Sequence, residues 1–220
     1  MKFKNWTILL FSILLFTSCF EVTEDLTFNK DMSGTFKLTL NLSKNKTQVS
    51  NFLALDSLRG NKIPSVADID RSIDILVEDI KEISGVSNIS STKNFNDFIL
   101  AIKFDFDKVS TLNTVIQHIA AKHAKNQPDL AKTNFFTYNN GVFKRESEFD
   151  YTSLLTKLKN EPKLIETSTY TCIYRFDGNV TSSNLAAKIS PSGQAVMLKL
   201  RAHNLLKNHT LVENTITIKP

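Results

Sequence analysis

Cysteine, histidine, glycine and proline are all scarce in this chain. Its 220 residues include two cysteines, four histidines, six glycines and five prolines. Two cysteines cannot build the disulfide framework that stabilises many small secreted domains. Four histidines leave little material for a zinc site. So few glycines and prolines also argue against a long flexible linker, and the sequence therefore favours one continuous domain.

Motifs of enzymes and of nucleic-acid-binding proteins are missing too. No serine lies in a G-x-S-x-G turn, and no glycine-rich loop connects a predicted strand to a helix. Lysine and arginine form no block interleaved with aromatic residues, a common feature of nucleic-acid-binding surfaces. The sequence therefore predicts a protein that is not an enzyme and that has no cofactor and no nucleic-acid partner.

The N-terminus, by contrast, has a clear pattern. Lys2 and Lys4 are followed by an apolar stretch over 6–16 and by small residues directly before Cys19. This is the layout of a secretory signal peptide over residues 1–18, and the apolar stretch is shorter than the roughly 20 residues of a membrane-spanning helix. A signal peptide that is cleaved near an incidental cysteine would have the same layout.

The sequence FTSC at 16–19 resembles the lipobox of bacterial lipoproteins, although Leu is usual in that family where Phe16 stands. The resemblance implies that the leader is removed and that Cys19 carries diacylglycerol and an amide-linked acyl chain such as palmitate. Several acyl chains hold a protein firmly on a membrane. In the same family, Asp after the cysteine favours the inner membrane, so Phe20 implies the outer membrane. Lipidation of Cys19 would leave Cys172 without a disulfide partner.

Charge and length are those of an ordinary globular domain. The net charge is +5, and removal of Lys2 and Lys4 with the leader would lower it to +3. Charged residues of both signs are interspersed, as on soluble protein surfaces. Residues 19–220 are predicted to form a single domain, with one plausible minor boundary near 160–168.

Alternating apolar and polar residues predict β-strands in several stretches. The clearest are GTFKLTLNLS at 34–43, DFILAIKFDF at 97–106, YTCIYRF at 170–176, VMLKLRA at 196–202 and LVENTITIK at 211–219. The first of these follows another strand after a turn over 29–34. One apolar and one polar face per strand is typical of an antiparallel sheet that is covered on one side. Asp177-Gly178-Asn179 has the composition of a hairpin turn.

Helical spacing of apolar residues predicts four helices between the strands. They lie at 66–84 and 109–125, and less clearly at 44–58 and 151–159. Ser65 and Asp68 match a variant of the capping box, and Gly85 has the properties of a C-terminal cap. Asp107 is predicted to cap the helix that begins at Val109.

The order strand, strand, helix occurs three times, with hairpins near residues 21, 86 and 133, and a run of strands ends the chain. Helices that are segregated to one face of an antiparallel sheet define the α+β class. The predicted fold is therefore an antiparallel β-sheet with helices packed on one face, repeated strand-strand-helix units and a C-terminal β-meander.

Three groups of side chains have the composition of a metal site. They are Asp70, Asp74 and Glu78 on a helix, Asp105 and Asp107 at a strand end, and the histidines His118, His123, His203 and His209. The helical carboxylates have Lys and Arg partners at helical spacing, and the aspartate pair lacks the Gly and Glu of a calcium loop. His118 and His123 are five residues apart on a helix, so their side chains diverge by about 140° and cannot bind one metal ion together. We therefore interpret all three groups as structural and predict no metal site.

Glu24 interrupts a strand pattern, and Cys172 lies on the aromatic face of another strand. Glu24 falls on the apolar face of the first strand, which is explained either by a frayed or bulged strand near the tether or by an acid that points into a ligand cavity. A buried carboxylate needs a partner. Cys172 alternates with Tyr170, Tyr174 and Phe176, and we expect it to be buried, unpaired and unreactive.

Two stretches resemble known lipoproteins. CFEVTEDLTFNKDMSGTFKLTLNLS at 19–43 is similar to the start of small lipoproteins of the Bacteroidota, and YRFDGNVTSSNLAAKISPSGQAVMLKL at 174–200 is similar to the closing strands of LppM-type lipoproteins. The resemblance implies an α+β sheet domain and, for the LppM type, an association with lipid or glycolipid binding. The region 44–165 has no counterpart in these families.

The sequence therefore leaves three functional hypotheses. The first is a non-enzymatic envelope lipoprotein that binds a protein partner or helps to assemble an envelope structure. The second is a lipid- or glycolipid-binding domain, and the third is an envelope hydrolase. For the first, the polar sheet face is the expected partner surface, and it carries Thr35, Lys37, Thr39, Lys103, Thr171 and Arg175.

Overall fold

The computed structural model of the chain describes residues 20–58, 61–124, 128–147, 167–184 and 186–219. The leader 1–18, Cys19 and the helix expected at 151–159 lie outside these ranges, as does nearly all of the boundary expected near 160–168. The helices are α1 (Lys46–Leu53), α2 (Val66–Lys81), α3 (Val109–His123) and α4 (Ala202–Lys207). The strands are β1 (Glu21–Phe28), β2 (Gly34–Asn41), β3 (Ser57–Leu58), β4 (Asn61–Lys62), β5 (Val86–Asn94), β6 (Ile99–Phe106), β7 (Phe136–Asn139), β8 (Val142–Arg145), β9 (Thr169–Phe176), β10 (Asn179–Ser182), β11 (Lys188–Ile189), β12 (Ala195–Arg201) and β13 (Asn214–Lys219).

The larger sheet has seven strands in the order β11-β12-β9-β1-β2-β6-β5. Strands β1, β2 and β6 pair antiparallel over their full lengths, and the β1–β2 and β5–β6 pairs are hairpins of consecutive strands. Strands β1 and β9 pair in parallel, from Glu21 opposite Thr169 to Phe28 opposite Phe176. The sequence predicted only antiparallel pairing, because nothing local to either strand signals a partner so far along the chain.

A second sheet, with the order β10-β13-β8-β7, packs against part of the first. Rings from both sheets meet there. The ring centroids of Phe143 and Phe28 are 4.9 Å apart, and those of Phe143 and Tyr174 are 5.3 Å apart. Phe28 also stacks on Phe176 at 5.1 Å. Such aromatic pairs add packing energy beyond the area that they bury, so this cluster holds the two sheets together.

Helices α2 and α3 cover the same face of the larger sheet on its β5–β6 side. Ile80 and Ile83 from the α2 region and Leu112 and Val115 from α3 join the buried core with Phe104. The α+β class, the helix-covered sheet face and the terminal run of strands are thus as predicted. The terminal strands are distributed over both sheets, with β11 and β12 in the larger and β10 and β13 in the smaller.

The capping box of α2 is confirmed. The Ser65 side chain accepts a hydrogen bond from the Asp68 backbone N–H at 3.1 Å, and the Asp68 carboxylate accepts one from the Ser65 backbone N–H at 3.0 Å. Gly85 has a φ of +87°, but it lies in the turn into β5 rather than at the helix end, which is at Glu82.

Three local predictions are wrong. The helix expected at 44–58 ends at Leu53 and is followed by the short β3–β4 hairpin. Asp107 does not cap α3, because its carboxylate accepts a hydrogen bond from the Thr111 hydroxyl at 2.6 Å and not from a backbone N–H of the helix. The turn at 177–179 is not a hairpin, because β9 and β10 belong to different sheets.

Candidate functional site

Glu24 lies at the centre of a buried polar cluster between the two sheets. Its strand is regular, with Glu24 in register between Leu38 and Cys172, so the frayed-strand interpretation is wrong. The side chains of Glu24 and Arg145 are each 6% exposed. Arg145 Nε and Nη2 donate to the two carboxylate oxygens at 3.3 and 3.4 Å. A buried charge needs such a partner, so the pair ties β1 to β8.

Two tyrosines complete the hydrogen bonding of this carboxylate. The Tyr170 hydroxyl donates to Glu24 Oε2 at 2.7 Å, and the Tyr174 hydroxyl donates to Oε1 at 2.5 Å. The Arg145 guanidinium also donates to the Glu146 carbonyl at 2.5 Å and lies 4.8 Å from the Phe136 ring centroid. Each carboxylate oxygen thus accepts two hydrogen bonds from the protein itself, and the cluster faces partner side chains rather than a ligand.

Electrostatics in the cluster favour one set of protonation states. Burial opposes the charge of Arg145 and is the largest single effect, but Glu24, Tyr170, Tyr174 and Cys172 together outweigh it and hold the pKa of the guanidinium well above its usual value. Burial, reinforced by nearby negative charge, raises the pKa of Tyr170 and Tyr174 well above the usual tyrosine value. The cluster is therefore a structural ion pair with neutral tyrosines, and it does not resemble an acid–base pair tuned for turnover near neutral pH.

Cys172 is fully buried and is a free thiol, as the sequence predicted. Burial first, and then the charge of Glu24, raise the pKa of the Cys172 thiol far above its usual value. Because the thiolate is the reactive form, this residue is inert in the folded protein.

A surface pocket of about 340 Å³ lies at the ends of the strands, where the β1–β2, β7–β8 and β9–β10 turns meet. It is lined by Asn29, Lys30, Met32, Tyr138, Asn140, Gly141, Phe176, Asp177 and Ile218. We call this the distal pocket. Its volume falls in the range of small-molecule sites, roughly 300–1,000 Å³.

The backbone around the distal pocket has an unusual conformation. Met32, Asn140 and Gly141 have φ values of 63°, 47° and 78°. Asn-Gly is the preferred pair for such a two-residue hairpin turn, whereas a buried methionine at positive φ costs of order 1–3 kcal/mol. A Cβ on Gly141 would lie 2.9 Å from the Ile218 carbonyl oxygen, so glycine is required there.

Four polar side chains of the distal pocket are uncommitted. Lys30, Tyr138, Asn140 and Asp177 make no side-chain hydrogen bond or ion pair with any other residue that the structure describes. These four residues, which carry a positive, an aromatic hydroxyl, an amide and a carboxylate group, line one cavity. Sequence reasoning missed this site, because its members come from three turns that only the tertiary structure brings together.

Phe20 lies at the opposite end of β1 from this pocket. Its N–H donates to Ser168 Oγ at 3.1 Å, and its carbonyl accepts from the Thr169 N–H at 3.0 Å. Nine residue steps along β1 separate Phe20 from Asn29, which is roughly 30 Å at about 3.3 Å per residue. We call the surface around Phe20 the anchor end. No helix within the described ranges is long and apolar enough to cross a membrane.

The helical carboxylates form ion pairs, as expected. Lys93 binds Asp70 at 2.9 Å and Asp74 at 2.5 Å, while Lys81 binds Glu78 at 2.6 Å. The sequence assigned Asp74 a partner on its own helix. The actual partner comes from β5, because β5 and α2 lie side by side.

Asp79 and Glu82 form a second ion-pair cluster with α3 that the sequence did not indicate. Lys122 Nζ lies 2.7 Å from Asp79 and 2.8 Å from Glu82, and His123 Nε2 lies 2.6 Å from Asp79. Ligand atoms of Asp79, Glu82 and His118 fall within 4.8 Å of one another, a spacing compatible with a metal ion. The Lys122 ammonium, and then His123, lower the pKa of Asp79. Lys122 binds both carboxylates, so the cluster links the end of α2 to α3.

The remaining candidates also have structural partners. Asp105 accepts hydrogen bonds from the Thr35 hydroxyl at 2.5 Å and from Asn88 at 2.8 Å, and these bonds lower the pKa of its carboxyl group. His209 Nδ1 lies 2.7 Å from the Ser147 carbonyl oxygen. Neither residue joins the distal pocket, and His203 does not line it either.

Comparison with solved structures gives weak similarities. No family model and no curated protein matches the chain. The folded domain of the LppM protein of Mycobacterium tuberculosis, solved by NMR, matches with a TM-score of 0.42 and 13% sequence identity, over 92% of this chain and 89% of that one.

Proposed function

We propose that this protein is a non-enzymatic lipoprotein of the cell envelope, attached to the outer membrane through Cys19, that binds a partner in the distal pocket. One observation carries the proposal: Phe20, the residue after Cys19, and the distal pocket lie at opposite ends of β1. A lipid on Cys19 would place Phe20 at the membrane surface and the pocket up to roughly 30 Å farther out.

The anchor end has the rigidity that such an attachment requires. Phe20 directly follows Cys19, and its backbone is hydrogen-bonded to Ser168 and Thr169. Consecutive Cα atoms are about 3.8 Å apart, so a lipidated Cys19 would hold the domain against the membrane without a flexible linker. The orientation of β1 would then determine which surfaces point away from the bilayer.

The distal pocket supports binding rather than catalysis. Its uncommitted groups include one carboxylate, Asp177, and no histidine, cysteine or serine. A hydrolase needs an activated nucleophile or water within reach of a base. The buried Glu24 cluster does not supply one, because the protein's own donors occupy both of its carboxylate oxygens.

Binding of a glycolipid is the second candidate, and Tyr138 favours it. This side chain is 40% exposed at the pocket rim, near the Asn140 amide and the Asp177 carboxylate. An exposed aromatic face next to planar amide and carboxylate groups suits the apolar faces and hydroxyls of a sugar headgroup. An acyl chain would need a larger apolar cavity, and the core around Phe104 and Phe106 is closely packed.

To test the proposal, we would isolate the full-length protein from membranes of its native host after chemical crosslinking. Mass spectrometry would identify co-purifying proteins and lipids. The pocket variant combines Tyr138→Ala with Asp177→Asn. The control combines Lys37→Gln with Lys103→Gln on the polar sheet face, where these lysines lie opposite each other and where the sequence placed the partner surface.

We expect the wild-type protein and the sheet-face control to retain the same protein partner. The pocket variant should retain at least about tenfold less of this partner than the wild type, which is the loss expected when two central contact residues are changed. Loss of the partner from the sheet-face variant alone would refute the pocket assignment. A stoichiometric lipid without a protein partner would favour the glycolipid alternative.

A further inference from the structure

Helix α1 lies at the anchor end. Asn41, shortly before the helix, pairs in register with Glu21. Lys44 Nζ binds the Glu21 carboxylate at 2.7 Å. Lys46, the first residue of α1, binds Asp97 in the β5–β6 turn at 3.1 Å. These contacts place the start of the helix within one or two side-chain lengths of Phe20.

None of the side chains of α1 is buried. Val49, Phe52 and Leu53 nevertheless follow the i, i+3, i+4 spacing of an apolar helix face. Phe52 is 45% exposed, and Leu55, just beyond the helix, is 47% exposed. A helix of eight residues is too short to be stable in water by itself, and helices in proteins are normally stabilised by packing of the apolar face. Among the residues that the structure describes, Phe52 and Leu55 are left exposed, so this side of α1 is open to a partner.

The chemistry of the segment fits a lipid surface. No Asp or Glu occurs between Asn41 and Leu55, and both lysines lie at the start of the segment. Peripheral membrane helices have this arrangement, with aromatic and leucine side chains that insert at the boundary between headgroups and acyl chains. Charges of both signs would instead be expected in a segment of this length that faces water.

We infer that α1 and Leu55 lie in the interface of the membrane to which Cys19 is attached. The inference rests on the proposed lipidation, since a lipid on Cys19 brings Phe20, and with it the anchor end, to the headgroups. Phe52 and Leu55 would then enter the outer part of the acyl-chain layer. This second contact would fix the tilt of the domain and keep the distal pocket directed away from the membrane.

The test uses tryptophan fluorescence in the full-length protein, reconstituted in phosphatidylcholine vesicles with brominated acyl chains, which quench nearby tryptophan. The only tryptophan of the chain, Trp6, lies in the predicted leader. The fluorescence of the wild-type protein therefore serves as the blank for any emission from Trp6. Phe52→Trp reports on α1. Tyr138→Trp, at a similarly exposed site in the distal pocket, is the matched control. Incorporation of labelled palmitate measures lipidation separately.

We expect the Phe52→Trp emission to shift to the blue and to be largely lost in brominated vesicles, while the Tyr138→Trp emission is unchanged. Unquenched Phe52→Trp emission in palmitate-labelled protein would overturn the inference and leave the lipid anchor intact. If the protein incorporates no palmitate but its Phe52→Trp emission is quenched when brominated vesicles are added, the result would support membrane binding by α1 and refute the lipid anchor on Cys19. Equal quenching at both positions would also overturn the inference, because the domain would then have no fixed orientation.

Discussion

At the scale of single residues, Glu24 interrupts the apolar face of β1, and the structure explains why an acid lies there. The carboxylate lies on the apolar side of β1 because Arg145 from the second sheet reaches it there. Isolated burial of either charge would be strongly unfavourable. Tyr170 and Tyr174 satisfy the lone pairs that the guanidinium leaves open. The ion pair therefore selects one way of docking the two sheets.

Glu24→Gln is expected to destabilise the protein by about 3–5 kcal/mol, because it leaves the Arg145 charge buried without a counterion. The matched control is Asp25→Asn on the same strand, which breaks the more exposed ion pair with Arg175 and should cost no more than about 1 kcal/mol. Urea-induced unfolding followed by circular dichroism measures both. Similar losses for the two variants would contradict the role given to the buried pair.

At the scale of secondary structure elements, α2 shows how far local signals reach. Its N-terminus was predicted correctly, because the capping box involves only Ser65 and Asp68, which are three positions apart in the sequence. The helix was predicted to continue to residue 84 but ends at Lys81, and the partner predicted for Asp74 was wrong. The Lys93 partner of Asp74 comes from a neighbouring strand, which no helix-based rule can identify.

Ser65→Ala should lower the free energy of unfolding by about 1 kcal/mol, since it removes the side-chain acceptor of the helix cap. Ser72→Ala is the control within the same helix. The Ser72 hydroxyl donates to the Asp68 carbonyl at 2.8 Å in mid-helix, and alanine is the better helix former there. The control should therefore be neutral or slightly stabilising in the same unfolding experiment. An unchanged stability of Ser65→Ala would mean that α2 is held by its apolar face alone.

At the scale of the whole molecule, the domain has two distinct ends. Phe20 and α1 lie at one end, and the distal pocket lies at the other. The strands between them are paired over their full lengths on both sides of β1. A continuously paired sheet of this kind fixes the position of the distal pocket relative to Phe20.

Cys19→Ser should abolish the incorporation of labelled palmitate and move the protein from the membrane fraction to the soluble fraction, because the acyl chains would no longer be attached. Cys172→Ala, at the only other cysteine, is the control and should retain both label and membrane association. The measurement is palmitate labelling with membrane fractionation. Equal labelling of Cys19→Ser and the wild type would refute the lipidation.

The sequence by itself determined the class of the fold and most of its elements. Alternation within each strand and helical spacing within α2 and α3 are local properties, so they can be read without knowing what the elements pack against. The burial of Cys172 followed from the same alternation. The lipobox-like residues 16–19 are likewise a contiguous signal.

Only the tertiary structure decided how these elements combine. The parallel pairing of β1 with β9 and the division of the last strands between two sheets depend on contacts between residues far apart in sequence. Arg145, the partner of Glu24, lies 121 positions away. The strand pattern could therefore indicate a buried acid but could not identify its counterion. The distal pocket draws its groups from three separate turns. A turn sequence specifies its own backbone, whereas the packing of the whole core determines which turns meet.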